Sequence, residues 1–174
     1  TGALVTLLAF ILMRPTSSDA TFNSSDVMFA QMMLTHHLQA IDMAEMVLQP
    51  DRGSSTQLQL MAHTIQSQQS SEIMTLEKLL REWHVDSAGG DHSGMMSGML
   101  SDSELGRLNS LRGADFDHQW SVAMIQHHEG AISMARDVVK SGINRRIAVM
   151  ARDVVAAQSH EIKLLQGITN ATGF

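Results

Sequence analysis

A histidine doublet occurs twice in this chain, His36-His37 and His127-His128, and the residues around it recur at a constant offset of 91 positions. Asp26, Phe29, Met33, Ala40, Ile41, Met43 and Ala44 in the first copy correspond to Asp117, Trp120, Met124, Ala131, Ile132, Met134 and Ala135 in the second. A gap-free match of that length is an internal repeat, so whatever one half folds into, the other half folds into as well. The fold must be a pairing of two like units.

The unit is helical. Only two prolines interrupt the chain, tyrosine is absent, and the straight-chain residues that dominate lose little rotamer freedom in a helix. The first helix is expected to start near Asn23 to Asp26, where the polar linker ends in capping residues, and to run to about Gln49. Pro50-Asp51-Arg52-Gly53 breaks it, and Ser54 with Gln57 has the form of a capping box for the next helix. That second helix carries Leu58, Ala62, Ile65, Gln69, Glu72, Leu76, Leu79 and Trp83 at alternating spacings of four and three, one buried stripe interrupted by two polar residues. The last helix repeats the pattern with Ile147, Ala151, Val154, Gln158, Glu161, Leu165 and Ile168. Between the halves, residues 86–98 are a Gly-rich loop, Ser101 with Glu104 opens a connector helix to about Leu111, and Gly142 supplies a C-cap for the third long helix. The fold class is therefore all-α, a pseudo-symmetric four-helix bundle of two αα-hairpins. Residues 1–22 are an apolar segment with its linker. The bundle takes 23–168, divided into repeat one at 23–85, loop and connector at 86–113 and repeat two at 114–168, and 169–174 are a tail.

Composition removes several function classes. A net charge of -6 argues against nucleic acid as a partner, since phosphate binding needs a Lys/Arg excess. The absence of cysteine rules out disulfides, thiolate catalysis and Cys-type zinc sites. Residues 2–13 are uncharged and apolar, too short for a span of about 20 residues but of the length of an export-signal core. They predict an extracytoplasmic protein, secreted or anchored to the membrane through that segment. Homodimerisation is left open.

At 100° per residue, Met33 and His37 fall on the core-facing stripe of the first helix with His36 beside them, and Met124, His127 and His128 repeat the arrangement. Antiparallel hairpin geometry brings Gln69 and Glu72, and likewise Gln158 and Glu161, to the same level. Two arrangements satisfy such buried groups. One is a hydrogen-bonded His/Gln/Glu network, with Asp26 and Asp117 as further members, that fixes helix register. The other is a metal site. Thioether and imidazole on adjacent turns suit copper, Cu(I) above all, ahead of zinc or iron. The metal ligands would be Met33, His36, His37, Met124, His127 and His128, with Glu72, Glu161, Met43 and Met134 as additional or outer partners. His92, Met95, Met96 and Met99 in the loop form a further candidate set. A binding protein is preferred to a ferritin-like oxidase, because dimetal carboxylate sites use Glu-x-x-His and this chain has none.

These residues resemble a known family, domain of unknown function 305. The resemblance rests on Phe29 to Ala44, on Phe116-Asp117, Trp120, Met124-Ile125, His127 to Ile132 and Met134-Ala135, on Gln69-x-x-Glu72-Ile73 and Gln158-x-x-Glu161-Ile162, and on the Gly98-Met99-Leu100-Ser101 lead-in. It implies a ferritin-like helical bundle in exported or membrane-anchored bacterial proteins, some of them copper-binding. One departure matters: Leu38-Gln39 stands where the second copy has Glu129-Gly130, so the halves need not be equivalent.

Overall fold

The structure, a computed structural model, describes residues 21–88 and 96–171; the apolar stretch 2–13 and the loop residues His92 and Met95 lie outside the described residues. Among the described residues the chain is all-α, with five helices and no strand. They are α1 (Ser24–Val47), α2 (Thr56–Glu82), α3 (Asp102–Ser110), α4 (Gly113–Ser141) and α5 (Arg145–Ala171). None is long and apolar enough to cross a membrane.

Local chemistry sets each boundary. Asn23 caps α1 reciprocally: its side chain accepts from the Asp26 N–H at 3.0 Å, and the Asp26 carboxylate accepts from the Asn23 N–H at 2.9 Å. The box at Ser101 and Glu104 opens α3 in the same way, at 3.4 and 2.7 Å. Asn144 opens α5 by accepting from the Arg146 and Ile147 N–H groups at 3.0 and 3.2 Å. Two boundaries differ from expectation. The cap of α2 is Ser55, which accepts from Leu58 at 3.3 Å, and not Ser54. The reason is remote, because the Ser55 N–H is itself held by the Asp117 carboxylate at 2.9 Å. Gly142 does end α4, but with φ at -76° and ψ at 156°, extended instead of left-handed.

α1 packs on α2 and α4 on α5, and the two hairpins meet mainly where α1 crosses α4. Contacts at both ends fix α1 and α4 as antiparallel. The Asp26 carboxylate accepts from the Ile143 and Asn144 N–H groups at 3.1 Å each, in the turn of the second hairpin. Asp117, its repeat equivalent, accepts from Ser55 in the turn of the first. Each half thus braces the other's turn, and the two aspartates serve there, away from the histidines. Arg52, only 2% exposed, ties the connector down: it donates to the carbonyls of Met46, Asn109 and Leu111 at 2.8 to 2.9 Å and lies 4.6 Å over the Phe116 ring.

The apolar core is two clusters, not one. The first gathers Phe29, Met33, Leu76, Leu79, Val138, Ile147 and Val154 with their neighbours. The second gathers Met43, Leu58, Ile65, Leu108, Phe116, Trp120, Met124 and Leu165. Between them runs a layer of buried polar side chains, and that layer is the candidate site.

Candidate metal centre

Four histidines, all fully buried, converge where α1 crosses α4. Two of them, His36 and His127, occupy equivalent repeat positions, so the pseudo-twofold relation brings them together with ring centroids 3.7 Å apart and planes tilted by 40°. His37 and His128 flank this pair. Each meets a carboxylate from the second helix of its own hairpin, His37 Nε2 lying 2.7 Å from Glu72 Oε2 and His128 Nε2 lying 2.8 Å from Glu161 Oε2. The repeat therefore yields one shared cluster with two arms. The arms differ in access, since the Glu72 side chain is 21% exposed and that of Glu161 is 6%.

Most of the ring nitrogens have capacity to spare. His36 Nε2 donates to the Ser97 carbonyl at 3.2 Å, which fixes the Nε2–H tautomer and leaves Nδ1 with its lone pair. The other seven ring nitrogens of the cluster lack a well-aligned hydrogen bond, although the His127 ring lies against the His36 backbone carbonyl. The two carboxylate contacts are short, but the oxygens lie off the N–H axis, which makes them close polar contacts. A buried nitrogen left unpaired costs about 1 to 3 kcal/mol, a cost that any ion or water bound there removes.

The central pair is also held neutral. Burial, then the neighbouring His37, pushes the pKa of His36 down from 6.5 to about 3. His127 is lowered for the same reasons, burial first and His36 next. Neutral imidazoles offer lone pairs without first releasing a proton, which is the state a metal requires. Met33 and Met124, both fully buried, border the layer from the first and the second apolar cluster respectively. Imidazole nitrogen with thioether sulfur is a donor set for a soft monovalent ion. Among the described residues no three His, Asp or Glu side chains form a ready-made ion cage, so an ion here would draw on thioethers or on turned imidazoles.

The remaining candidates are spread out. Met43 is buried in the second apolar cluster, where its carbonyl accepts from Trp120 Nε1 at 2.8 Å, while Met134 is half-buried on the other side of the layer. Gln69 and Gln158 are buried in the layer. In the loop, Met96 and Met99 are half-buried around Ser97.

Sequence reasoning missed the strap formed by residues 96–100. It crosses the cluster at Ser97 and is held at Leu100, whose N–H donates to Gln39 Oε1 at 2.8 Å and whose carbonyl accepts from Gln39 Nε2 at 2.9 Å. On α4 it rests directly against Gly130, where an added Cβ would stand 1.9 Å from the Ser97 oxygen. Gly98, at φ 84°, lies over Gln126 and His127, where an added Cβ would stand 2.5 Å from the Gln126 oxygen. The signal was present in one departure between the copies. Gln39 and Gly130 grip and admit the strap, whereas Leu38 and Glu129, the other members of that departure, are exposed.

A family model described as a domain of unknown function, DUF305, matches residues 26–169. A DUF305 protein from Streptomyces coelicolor, described as secreted, superposes with a TM-score of 0.78 at 27% identity, over 86% of this chain and 94% of that one. A DUF305 fragment from Deinococcus radiodurans gives 0.77 at 28% identity, over 86% and 97%. CopM in its Cu(I)-bound form gives 0.72 at 27% identity, over 86% and 98%, and CopM is also solved in Cu(II)-bound and Ag-bound forms. No curated protein matches.

Proposed function

This chain belongs to the DUF305 family, and on that premise we propose that it is an extracytoplasmic protein that binds and handles Cu(I) in the histidine layer of a pseudo-symmetric, ferritin-like four-helix bundle. The ligands in this reading are drawn from His36, His37, His127 and His128 with Met33 and Met124, and Glu72 and Glu161 orient the outer imidazoles. The observation that carries it is the convergence of four buried imidazoles, the central two held neutral, with seven of their eight ring nitrogens making no well-aligned hydrogen bond. CopM, similar over most of both chains and solved with Cu(I), Cu(II) and Ag bound, supports copper as the ion, and the thioethers favour Cu(I). The secreted description of the Streptomyces relative supports the location, and residues 2–13 would provide export or anchoring.

Competition against a coloured Cu(I) chelator tests the reading. We expect at least one equivalent to bind and binding to weaken in His37→Ala and His128→Ala; full affinity in both variants would sink the proposal. A second reading, a purely structural polar layer, is favoured by the short contacts of His37 with Glu72 and His128 with Glu161. Melting separates the two. A ligand that binds only the native state raises Tm, by an amount equivalent to about 2.7 kcal/mol at a hundredfold excess over Kd, and no shift with Cu(I), Cu(II) or Zn(II) would favour the structural layer.

A further inference from the structure

The groove between α1 and α4 holds a second concentration of sulfur. A cavity of about 230 Å³ there is lined by Met28, Met32 and Met134, with Ser97 of the strap and Asp137 also at its wall. Met28 and Met32 are four apart on one face of α1, so their thioethers sit on adjacent turns. Core filling does not explain them all, because Met28 is 41% exposed.

The repeat supplies a control within the same molecule. The counterparts of Met28, Met32 and Met134 are Gln119, Ala123 and Met43. At that end of the groove α3 lies over α4, Leu108 is buried, and Met43 is fully enclosed as a packing residue. The larger cavity beside it, about 630 Å³, takes in Gln119 and Ala123 and has no methionine in its lining. Thioethers replace the amide and the methyl only at the end that the connector leaves open.

Ser97 belongs to both places. It lines the methionine cleft, and its carbonyl is the partner of His36 Nε2. The cleft and the histidine cluster are separated by one strand of chain.

We propose that Met28, Met32 and Met134 form a second, sulfur-only site for a monovalent soft ion, Cu(I) or Ag(I), which captures the ion at the surface and passes it beneath the Ser97 strap to the histidines. The transfer half rests on the function proposed above; the capture half does not. Three neutral thioethers discriminate by softness, taking Cu(I) and Ag(I) and leaving Zn, Mg and Ca. No bond is made or broken other than ligand exchange at the ion, and no redox step is involved.

Silver titration of protein carrying ¹³C-methyl methionine reads both halves. The methyl resonances of Met28, Met32 and Met134 are expected to shift together on adding Ag(I), and the imidazole resonances of the cluster to follow. In Met28→Leu/Met32→Leu, volume-conserving changes that preserve the packing, the histidines should reach the same final affinity but fill about tenfold more slowly, because capture no longer raises the local ion concentration. Methionine methyls that stay in place while imidazole resonances move would overturn the cleft and leave the histidine site standing. The converse, methyl shifts with silent imidazoles, keeps the cleft and removes the proposed function. Shifts in both with an unchanged filling rate would refute the transfer.

Discussion

Gly130→Ala offers a test in which the sign of the effect depends on the strap. In the interior of an exposed helix the change from glycine to alanine stabilises by about 1 kcal/mol. Here the new Cβ would stand 1.9 Å from the Ser97 oxygen and 2.6 Å from the Ser97 carbonyl carbon, when real Cβ contacts essentially never fall under 3.0 Å. Both neighbours are backbone, so the strap itself must lift by more than an ångström. Lifting it forfeits the contact of Ser97 with His36 at 3.2 Å and the two bonds between Gln39 and Leu100 at 2.9 and 2.8 Å. At about 1 kcal/mol net for each bond, the loss is about 3 kcal/mol, and the helix gain reduces it to about 2 kcal/mol. For a chain of this size that lowers Tm by about 4 to 8 °C. Denaturant unfolding of the single variants and of Gln39→Ala/Gly130→Ala completes the assay. Both changes release the same strap, so the double variant should be scarcely less stable than the worse single one. A stabilised Gly130→Ala protein, or two effects that simply add, would refute the strap as described.

Acid and the aspartate braces give two further expectations. His36 titrates near 3 in the folded protein against 6.5 when free, and His127 is lowered as well, so between those pH values the unfolded chain binds more protons than the folded one. Stability from these groups is complete above pH 6.5 and falls on acidification, by up to about 1.4 kcal/mol per pH unit for each imidazole that stays neutral; denaturant midpoints at pH 7, 6 and 5 that coincide would contradict the burial argument. Asp26→Ala removes an acceptor for three backbone N–H groups, those of Asn23, Ile143 and Asn144, whereas Asp117→Ala removes the acceptor of one, that of Ser55. The first should cost about 3 kcal/mol and the second about 1 kcal/mol, and equal losses in urea unfolding would show that the braces are not what those carboxylates supply.

What could be read in the sequence was whatever is local or periodic. The helices, the Ser101 and Glu104 box, and the His/Gln/Glu levels follow from spacing alone, because a helix fixes which side chains share a face. What could not be read depends on docking between distant segments. The repeat reads as two related sites, one in each half; only the antiparallel crossing of α1 and α4, which no local pattern encodes, puts His36 on His127. Ser54 and Ser55 are equal as caps until Asp117, 62 residues away, selects one. Gly142 carries the residue type of a left-handed cap without its dihedral angles, because an added Cβ there would stand 2.4 Å from the Asp26 carboxylate. Gln39 and Gly130 look like drift between copies until the strap gives each a partner.

The reciprocal braces bear on how the chain assembles. A hairpin turn normally closes early, since its contacts are near in sequence and cost little loop entropy. Here the carboxylate that orders the first turn sits at the start of α4, and the one that orders the second sits at the start of α1. Each bend takes one of its braces from the other half. The halves are therefore expected not to be separable folding units despite being copies of one sequence, since each turn gains its last bonds only when α1 and α4 cross, the contact that also buries the four imidazoles. Closing the bends and closing the histidine layer are a single cooperative step, and opening either one loosens the other.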